Sequence, residues 1–357
     1  MRDIEACRTA SLGGHVDVCP KCDFSRPSYN SCRNRHCPKC QSLQQARWIE
    51  ARVERLLPTH YFHSVFTLPA GLRSIAMRNP KLVFELLFSA ASSTLLDLGR
   101  DEARLGAQLG ITAVLHTWTR KLTFHPHLHC IVTGGGLAEE QDRWISANRR
   151  YLFPVKVMAK LFRGKFLDRL RRAQRDGRLL LDGTDYAAEG AFAQCITKLY
   201  ATNWVVYSKT AFASSEHVLR YLGRYTHRVA ISNQRIQAFD GHIVRFATKG
   251  GETLTLAAEE FIRRFLLHIL PNGFTKIRHY GLHAASNAKT KLALAKRLLE
   301  AKLGIAAPTK AAAVIEAPSY RELLILLTGV DPLLCPLCGT LMQRRPLPRA
   351  PPLRSAA

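Results

Sequence analysis

The apolar and polar positions change character near residue 41. Before it, apolar residues show little periodicity, and cysteine, histidine and short turns dominate. Such a stretch buries little core and needs a metal to hold it. Over residues 41–57, Leu43, Ala46, Trp48, Val53, Leu56 and Leu57 recur at helical spacing, and Pro58 ends the run. Residues 61–68 alternate as a strand, closed by Pro69-Ala70-Gly71. Residues 80–98 predict an apolar helix, 111–118 a second strand, and 123–132 a third ending at Gly134-Gly135-Gly136. A strongly basic helix is predicted over 155–176, with Arg169, Arg171, Arg172 and Arg175, and another strand over 204–208. Ser214 or Ser215 caps a following helix, with Glu216 favourable in its first turn. Asp240-Gly241 joins 235–239 and 242–246 as a hairpin. Residues 256–270 form a helix stopped by Pro271-Asn272-Gly273. Beyond about residue 290 the chain turns Ala/Lys-rich, then Pro-rich.

This mixture predicts an α+β protein. With 357 residues, 47% of them hydrophobic, the chain suits two or three globular segments. We divide it into a zinc-binding, DNA-binding module (1–57), a catalytic domain (58–290) and a basic, Pro-rich tail (291–357). Lys plus Arg is 52 against 27 for Asp plus Glu, a formal net charge of +25. That excess points to a polyanion, above all nucleic acid, rather than a membrane surface. No apolar run approaches the roughly 20 residues that a bilayer span needs. The opening Met1-Arg2-Asp3-Ile4-Glu5 is no hydrophobic signal segment, so a cytoplasmic protein is expected.

Six of the ten cysteines fall within the first 40 residues. Cys19-x-x-Cys22 and Cys37-x-x-Cys40 are two chelating turns, and together they supply four thiolates for one structural zinc. Cys7, His15, Cys32 and His36 remain, either as a second, interleaved zinc site or as packing and DNA-contacting residues. In the loop between the turns, Tyr29, Arg33 and Arg35 suit base stacking and phosphate contacts. Cys335 and Cys338 offer half a zinc site and stay unassigned, while Cys130 and Cys195 read as core.

Residues 125–136 read His-Pro-His-Leu-His-Cys-Ile-Val-Thr-Gly-Gly-Gly. On a strand, His127 and His129 share a face while Leu128 points into the core. Two adjacent imidazoles can hold a divalent metal. Residues 221–225, Tyr-Leu-Gly-Arg-Tyr, read as helix, which stacks Tyr221 above Tyr225. Arg220, Arg224, His227 and Arg228 surround them, and cationic neighbours favour a phosphate-facing helix and a phenolate. A metal platform beside paired tyrosines is an arrangement for cutting and rejoining a DNA strand.

Several segments resemble the rolling-circle transposases of the insertion sequence ninety-one type. They are Leu-His-Thr-Trp (115–118), the 125–136 segment, Trp-Val-Val-Tyr (204–207), Tyr-Leu-Gly-Arg-Tyr-Thr-His-Arg-Val-Ala-Ile-Ser-Asn (221–233), Glu-Phe-Ile-Arg-Arg-Phe-Leu-Leu-His (260–268) and Arg-His-Tyr-Gly-Leu (278–282). Ser-Cys-Arg-Asn-Arg-His-Cys-Pro-Lys-Cys (31–40) is similar to that family's zinc-binding domain. The family belongs to the HUH endonucleases, here His127-Leu128-His129. The resemblance implies an antiparallel palm, or ferredoxin-like, sheet with the histidines on a central strand, crossed by the tyrosine helix. It implies Mg or Mn on His127 and His129, with His116 as third ligand and His125 and His227 as rivals. It implies Tyr221 and Tyr225 as nucleophiles, a 5′-phosphotyrosine intermediate, and single-stranded DNA at element ends and target as substrate, in a nucleoid-associated protein. A plasmid replication initiator or relaxase would share this chemistry. A decayed transposase acting as a zinc-module DNA-binding repressor would lack it.

Overall fold

The computed structural model describes residues 2–53, 55–211, 223, 231–248, 250–304 and 319–350. Tyr221, Tyr225, Arg224, His227 and Arg228, with the helix expected to carry them, lie outside the described residues. The chain forms two units. One draws on 52–222 and 237–308, the other on 1–51, 223–236 and 309–357. Strands are β1 (Gly14–Val18), β2 (Ser25–Tyr29), β3 (Tyr61–Thr67), β4 (Ala107–Trp118), β5 (Phe124–Ala138), β6 (Trp144–Ser146), β7 (Val206–Ala211), β8 (Ile236–Phe239), β9 (Ile243–Ala247), β10 (Thr253–Ala257), β11 (Ile277–Gly281) and β12 (Gln343–Leu347). Helices are α1 (Arg2–Glu5), α2 (Ser42–Val53), α3 (Arg73–Arg78), α4 (Pro80–Arg100), α5 (Val155–Arg175), α6 (Ala191–Ala201), α7 (Ala258–Leu266), α8 (Lys291–Lys302) and α9 (Tyr320–Thr328).

The larger unit is built on an antiparallel sheet in the order β11-β4-β5-β3-β7, with β6 added to β5. Strand alternation sorts its side chains into two faces. Phe62, Phe66, Leu115, Leu128, Cys130 and Val132 lie on the face covered by α4 and α5 and are buried. Aromatic rings knit that layer: Phe66 meets Phe162 edge-on at 5.1 Å, and Phe162 meets Trp204 at 5.2 Å. Pro80 at the first turn fits α4, where its missing N–H costs nothing. One expectation needs amending here. By length and mean hydropathy (1.4 over its best window), α4 is apolar enough to cross a bilayer. Yet 67% of that window is buried, so α4 is a core helix.

The triple glycine does not end β5; it lies inside it. At Gly134–Gly136 the neighbouring chain approaches too closely for a side chain. A Cβ on Gly136 would sit 2.5 Å from the Gln108 carbonyl oxygen, and Gly135 has φ +150° with the Trp144 indole nitrogen 2.8 Å from its would-be Cβ. The Asp240 hairpin forms, with Oδ1 accepting from the amides of His242 (2.9 Å) and Ile243 (2.7 Å). Strand β10 takes residues expected as the start of a helix, so α7 begins at Ala258.

In the smaller unit, β12-β1-β2 form an antiparallel sheet. The C-terminal segment, expected as a tail, therefore supplies a strand, with Arg345 opposite Val16. A buried carboxylate ties it down. Asp17, 2% exposed, accepts from Arg344 at 2.9 Å and lies 3.7 Å from Arg26. A buried carboxylate is tolerable only with such partners.

Candidate functional site

The central strand β5 carries His127 and His129 on the face not covered by α4 and α5, alternating with the buried Leu128 and Cys130. Strand β4 places His116 opposite His127, and β3 places Val65 opposite His129. Ring centroids are 4.3 Å apart for His116–His129, 5.0 Å for His127–His129 and 5.4 Å for His116–His127. One ring nitrogen from each of the three lies within 4.8 Å of the others. Of the rivals for the third position, His125 is not in this group and turns its carbonyl to His127, while His227 lies outside the described residues.

Each ring of the central pair is anchored through Nδ1. His127 Nδ1 donates to the His125 carbonyl at 2.7 Å, which leaves Nε2 as its lone pair. His129 Nδ1 lies 2.8 Å from His63 Nε2, with the two rings stacked at 5.0 Å. A donor at His129 Nδ1 likewise frees its Nε2 for an ion. Burial pushes both His127 and His63 down to about 4. Burial, then the neighbouring His129 and His127, hold His116 well below the usual range. These imidazoles are neutral at physiological pH, the form that ligates a metal. Three neutral nitrogen donors on one open face fit a divalent ion that keeps positions for substrate.

His63 was not singled out from the sequence. Its only signal is its parity with Tyr61, Val65 and Thr67 on a predicted strand. Tyr207 and Lys209 were missed in the same way. On β7 they stand opposite Val65 and His63, with Tyr207 43% exposed and the Lys209 ammonium 5.5 Å from its ring centre. An exposed ring beside a cation is suited to a stacked base and its phosphate.

The thiols do not group as expected. Cys19 and Cys22 do not join Cys37 and Cys40. Cys7, Cys32, Cys37 and Cys40 form one cluster, and Cys19, Cys22, Cys335 and Cys338 another. Nor does the set of Cys7, His15, Cys32 and His36 assemble. His15 Nε2 faces the Asp17 carboxylate at 3.6 Å, and the His36 amide donates to Asn34. Burial, with Cys37 adding to it, pushes the Cys40 thiol up, and burial pushes Cys32 up to about 11. Thiols so packed resist ionising alone, and a dication makes four thiolates compatible. Tyr29 is 39% exposed at the end of β2, and Arg33 follows Cys32 with φ +54°.

Comparison with known proteins gives concordant matches. A family described as "Putative transposase" matches residues 110–291, from β4 to the start of α8. A transposase zinc-binding domain of the insertion sequence ninety-one type matches residues 1–68. A Sinorhizobium fredii protein named "Putative transposase y4qJ" is 44% identical over 346 residues, 95% of this chain and 86% of the relative. The "Transposase for insertion sequence element IS801" of Pseudomonas savastanoi pv. phaseolicola is 28% identical over 365 aligned positions, 96% of this chain and 83% of the relative.

Proposed function

Since the chain belongs to the insertion sequence ninety-one family of transposases, we propose that it nicks and rejoins single-stranded DNA at element ends through 5′-phosphotyrosine intermediates, driving rolling-circle transposition. The observation that supports this most is the trio His116, His127 and His129, gathered on the open face of a central strand. We read that sheet as the palm of an HUH nuclease, residues 58–290 as the catalytic domain and 1–57 as the core of a DNA-binding module held by structural zinc.

In this reading the three imidazoles hold Mg or Mn, which withdraws charge from the scissile phosphate when bound. Tyr221 and Tyr225 are the nucleophiles. A phenolate oxygen attacks phosphorus, the bond to the 3′ oxygen breaks, and that oxygen leaves as a free hydroxyl. The bond energy stays in the phosphotyrosine ester, so rejoining by the reverse attack needs no nucleotide cofactor. Two tyrosines let a second strand be cut while the first is still attached. Arg224 and Arg228 stabilise the phenolate and the phosphate charge. Arg33, Arg35 and Tyr29 contact DNA from the zinc module, and Tyr207 with Lys209 guides the strand past the histidines. No membrane takes part, and the protein works in the cytoplasm, on the nucleoid where its element lies.

Labelled single-stranded oligonucleotides carrying the element ends, with Mn or Mg, test this. Wild type should form a denaturation-resistant adduct on the 5′ side of the cut. His127→Ala with His129→Ala should lose cleavage yet keep most DNA binding. An adduct that persists in Tyr221→Phe/Tyr225→Phe would remove the tyrosines from the mechanism.

A further inference from the structure

The chain contains three Cys-Pro-x-Cys turns: Cys19-Pro20-Lys21-Cys22, Cys37-Pro38-Lys39-Cys40 and Cys335-Pro336-Leu337-Cys338. The first two fall within the residues matched by the zinc-binding domain, and the third lies nearly three hundred residues beyond it. All three have the same backbone signature. The residue after the second cysteine takes positive φ in each: Asp23 at +55°, Gln41 at +93° and Gly339 at +70°. That turn points two sulfurs and nearby amides at one spot, which is what a thiolate-bound metal requires. The Lys21 amide lies 3.4 Å from Cys19 Sγ, and in the other cluster the Cys32 amide lies 3.4 Å from Cys7 Sγ. The Cys335 turn is closed by its own amide donating to the Thr340 carbonyl at 2.9 Å.

The first and third turns face each other. Cys19 Sγ is 3.5 Å from Cys338 Sγ, Cys22 Sγ is 3.5 Å from Cys335 Sγ, and Cys338 Sγ is 3.6 Å from Cys22 Sγ. A tetrahedral zinc with sulfurs at about 2.3 Å sets them roughly 3.8 Å apart. All four sulfurs lie within 4.8 Å of one another. The strands carrying the turns are hydrogen-bonded neighbours, since β12 pairs along the whole of β1. Arg26 Nη2 donates to the Pro332 carbonyl at 2.6 Å, a second tie close to the thiols. The site thus has a supporting shell as well as ligands.

We infer that Cys335 and Cys338 complete, with Cys19 and Cys22, a second tetrathiolate zinc site that bolts the C-terminal segment onto the N-terminal module. The chain then carries two structural zinc ions. Cys7, Cys32, Cys37 and Cys40 hold one from the first 40 residues, and the two ends of the chain share the other. The N-terminal segment alone has only half of this second site. The inference is independent of the phosphotyrosine chemistry.

The test is zinc per chain on the full-length protein by elemental analysis, with zinc K-edge absorption on the same samples. Wild type should hold two equivalents in a shell of sulfur only. Cys335→Ser/Cys338→Ser should keep one equivalent, and Cys7→Ser/Cys32→Ser should also keep one, at the other site. One equivalent in wild type, or two retained in Cys335→Ser/Cys338→Ser, would overturn it. Should both variants precipitate, the wild-type spectrum still decides. Nitrogen in the zinc shell would mean that His15 or His36 is a ligand and the tetrathiolate pair is wrong.

Discussion

His63 does for His129 what the His125 carbonyl does for His127: each occupies Nδ1 and so fixes the ring and the nitrogen left to face the ion. It is a positioning residue with no contact to substrate in this arrangement. Losing such a partner typically costs 10–100-fold in metal affinity. His63→Ala should therefore raise the Mn concentration needed for half-maximal adduct formation by about that factor, with activity recovered at saturating Mn. His63→Gln, whose carbonyl oxygen can still accept from Nδ1, should recover part of the loss. An unchanged Mn dependence in His63→Ala would reduce the contact to packing. Strand parity alone set His127 and His129 on one face before any coordinates. Their partners were not legible, because His63 and His116 reach them from neighbouring strands, and register across strands follows from packing and turns rather than from either strand's own pattern. The cysteines fail for a related reason. Two turns 14 residues apart look like natural partners, yet the sulfurs that meet are 313 and 319 residues apart. Loop closure cost grows only logarithmically with length, so spacing in the sequence is a weak guide to which turns pair.

Among the elements, those with strong periodicity are close to expectation. Residues 155–176 and 80–98 emerge as α5 and α4 within two residues at their ends. The short strands β1, β2, β11 and β12, each of 5 residues, were not legible, because so few positions hold no clear period and three of them owe their pairing to a distant strand. The triple glycine was misread as a stop. Glycine ordinarily breaks a strand, but here it admits β4 and β6 against β5 at a distance no side chain allows. Gly135→Ala tests that account. Its φ of +150° belongs to a region almost closed to residues with a Cβ, and the Trp144 ring blocks the space as well. The substitution should destabilise the protein by about 1–3 kcal/mol in denaturant unfolding. Gly164→Ala on the exposed side of α5, where a Cβ meets nothing within 4 Å, should be neutral or slightly stabilising. Equal effects at the two sites would mean that the β5–β6 approach is looser than described.

At the scale of the whole molecule, a net charge of +25 and a DNA substrate make phosphate contacts a large share of binding. On single strands the log–log slope of affinity against salt is about −0.7 per phosphate contacted, so several contacts give a slope steeper than about −2. Stacking by Tyr29 and Tyr207 should leave a salt-insensitive remainder of roughly 1–3 kcal/mol per base. The structure also says which cations ought to matter. Helix α5 carries Arg169, Arg171, Arg172 and Arg175, but it packs on the sheet face opposite the histidines. Two of its arginines are already engaged, Arg169 with Ser93 at 3.0 Å and Arg172 with Asp168 at 3.0 Å. Lys209, exposed on β7, shares the face of His63 and His129. Lys209→Ala should therefore make the slope shallower by about 0.7, one phosphate contact. Arg171→Ala/Arg175→Ala should leave the slope for a short single strand unchanged. If the α5 pair instead removes most of the salt dependence, the strand runs over the helical layer and the path across the histidine face is wrong. A flat salt dependence in wild type would mean that the charge serves something other than DNA.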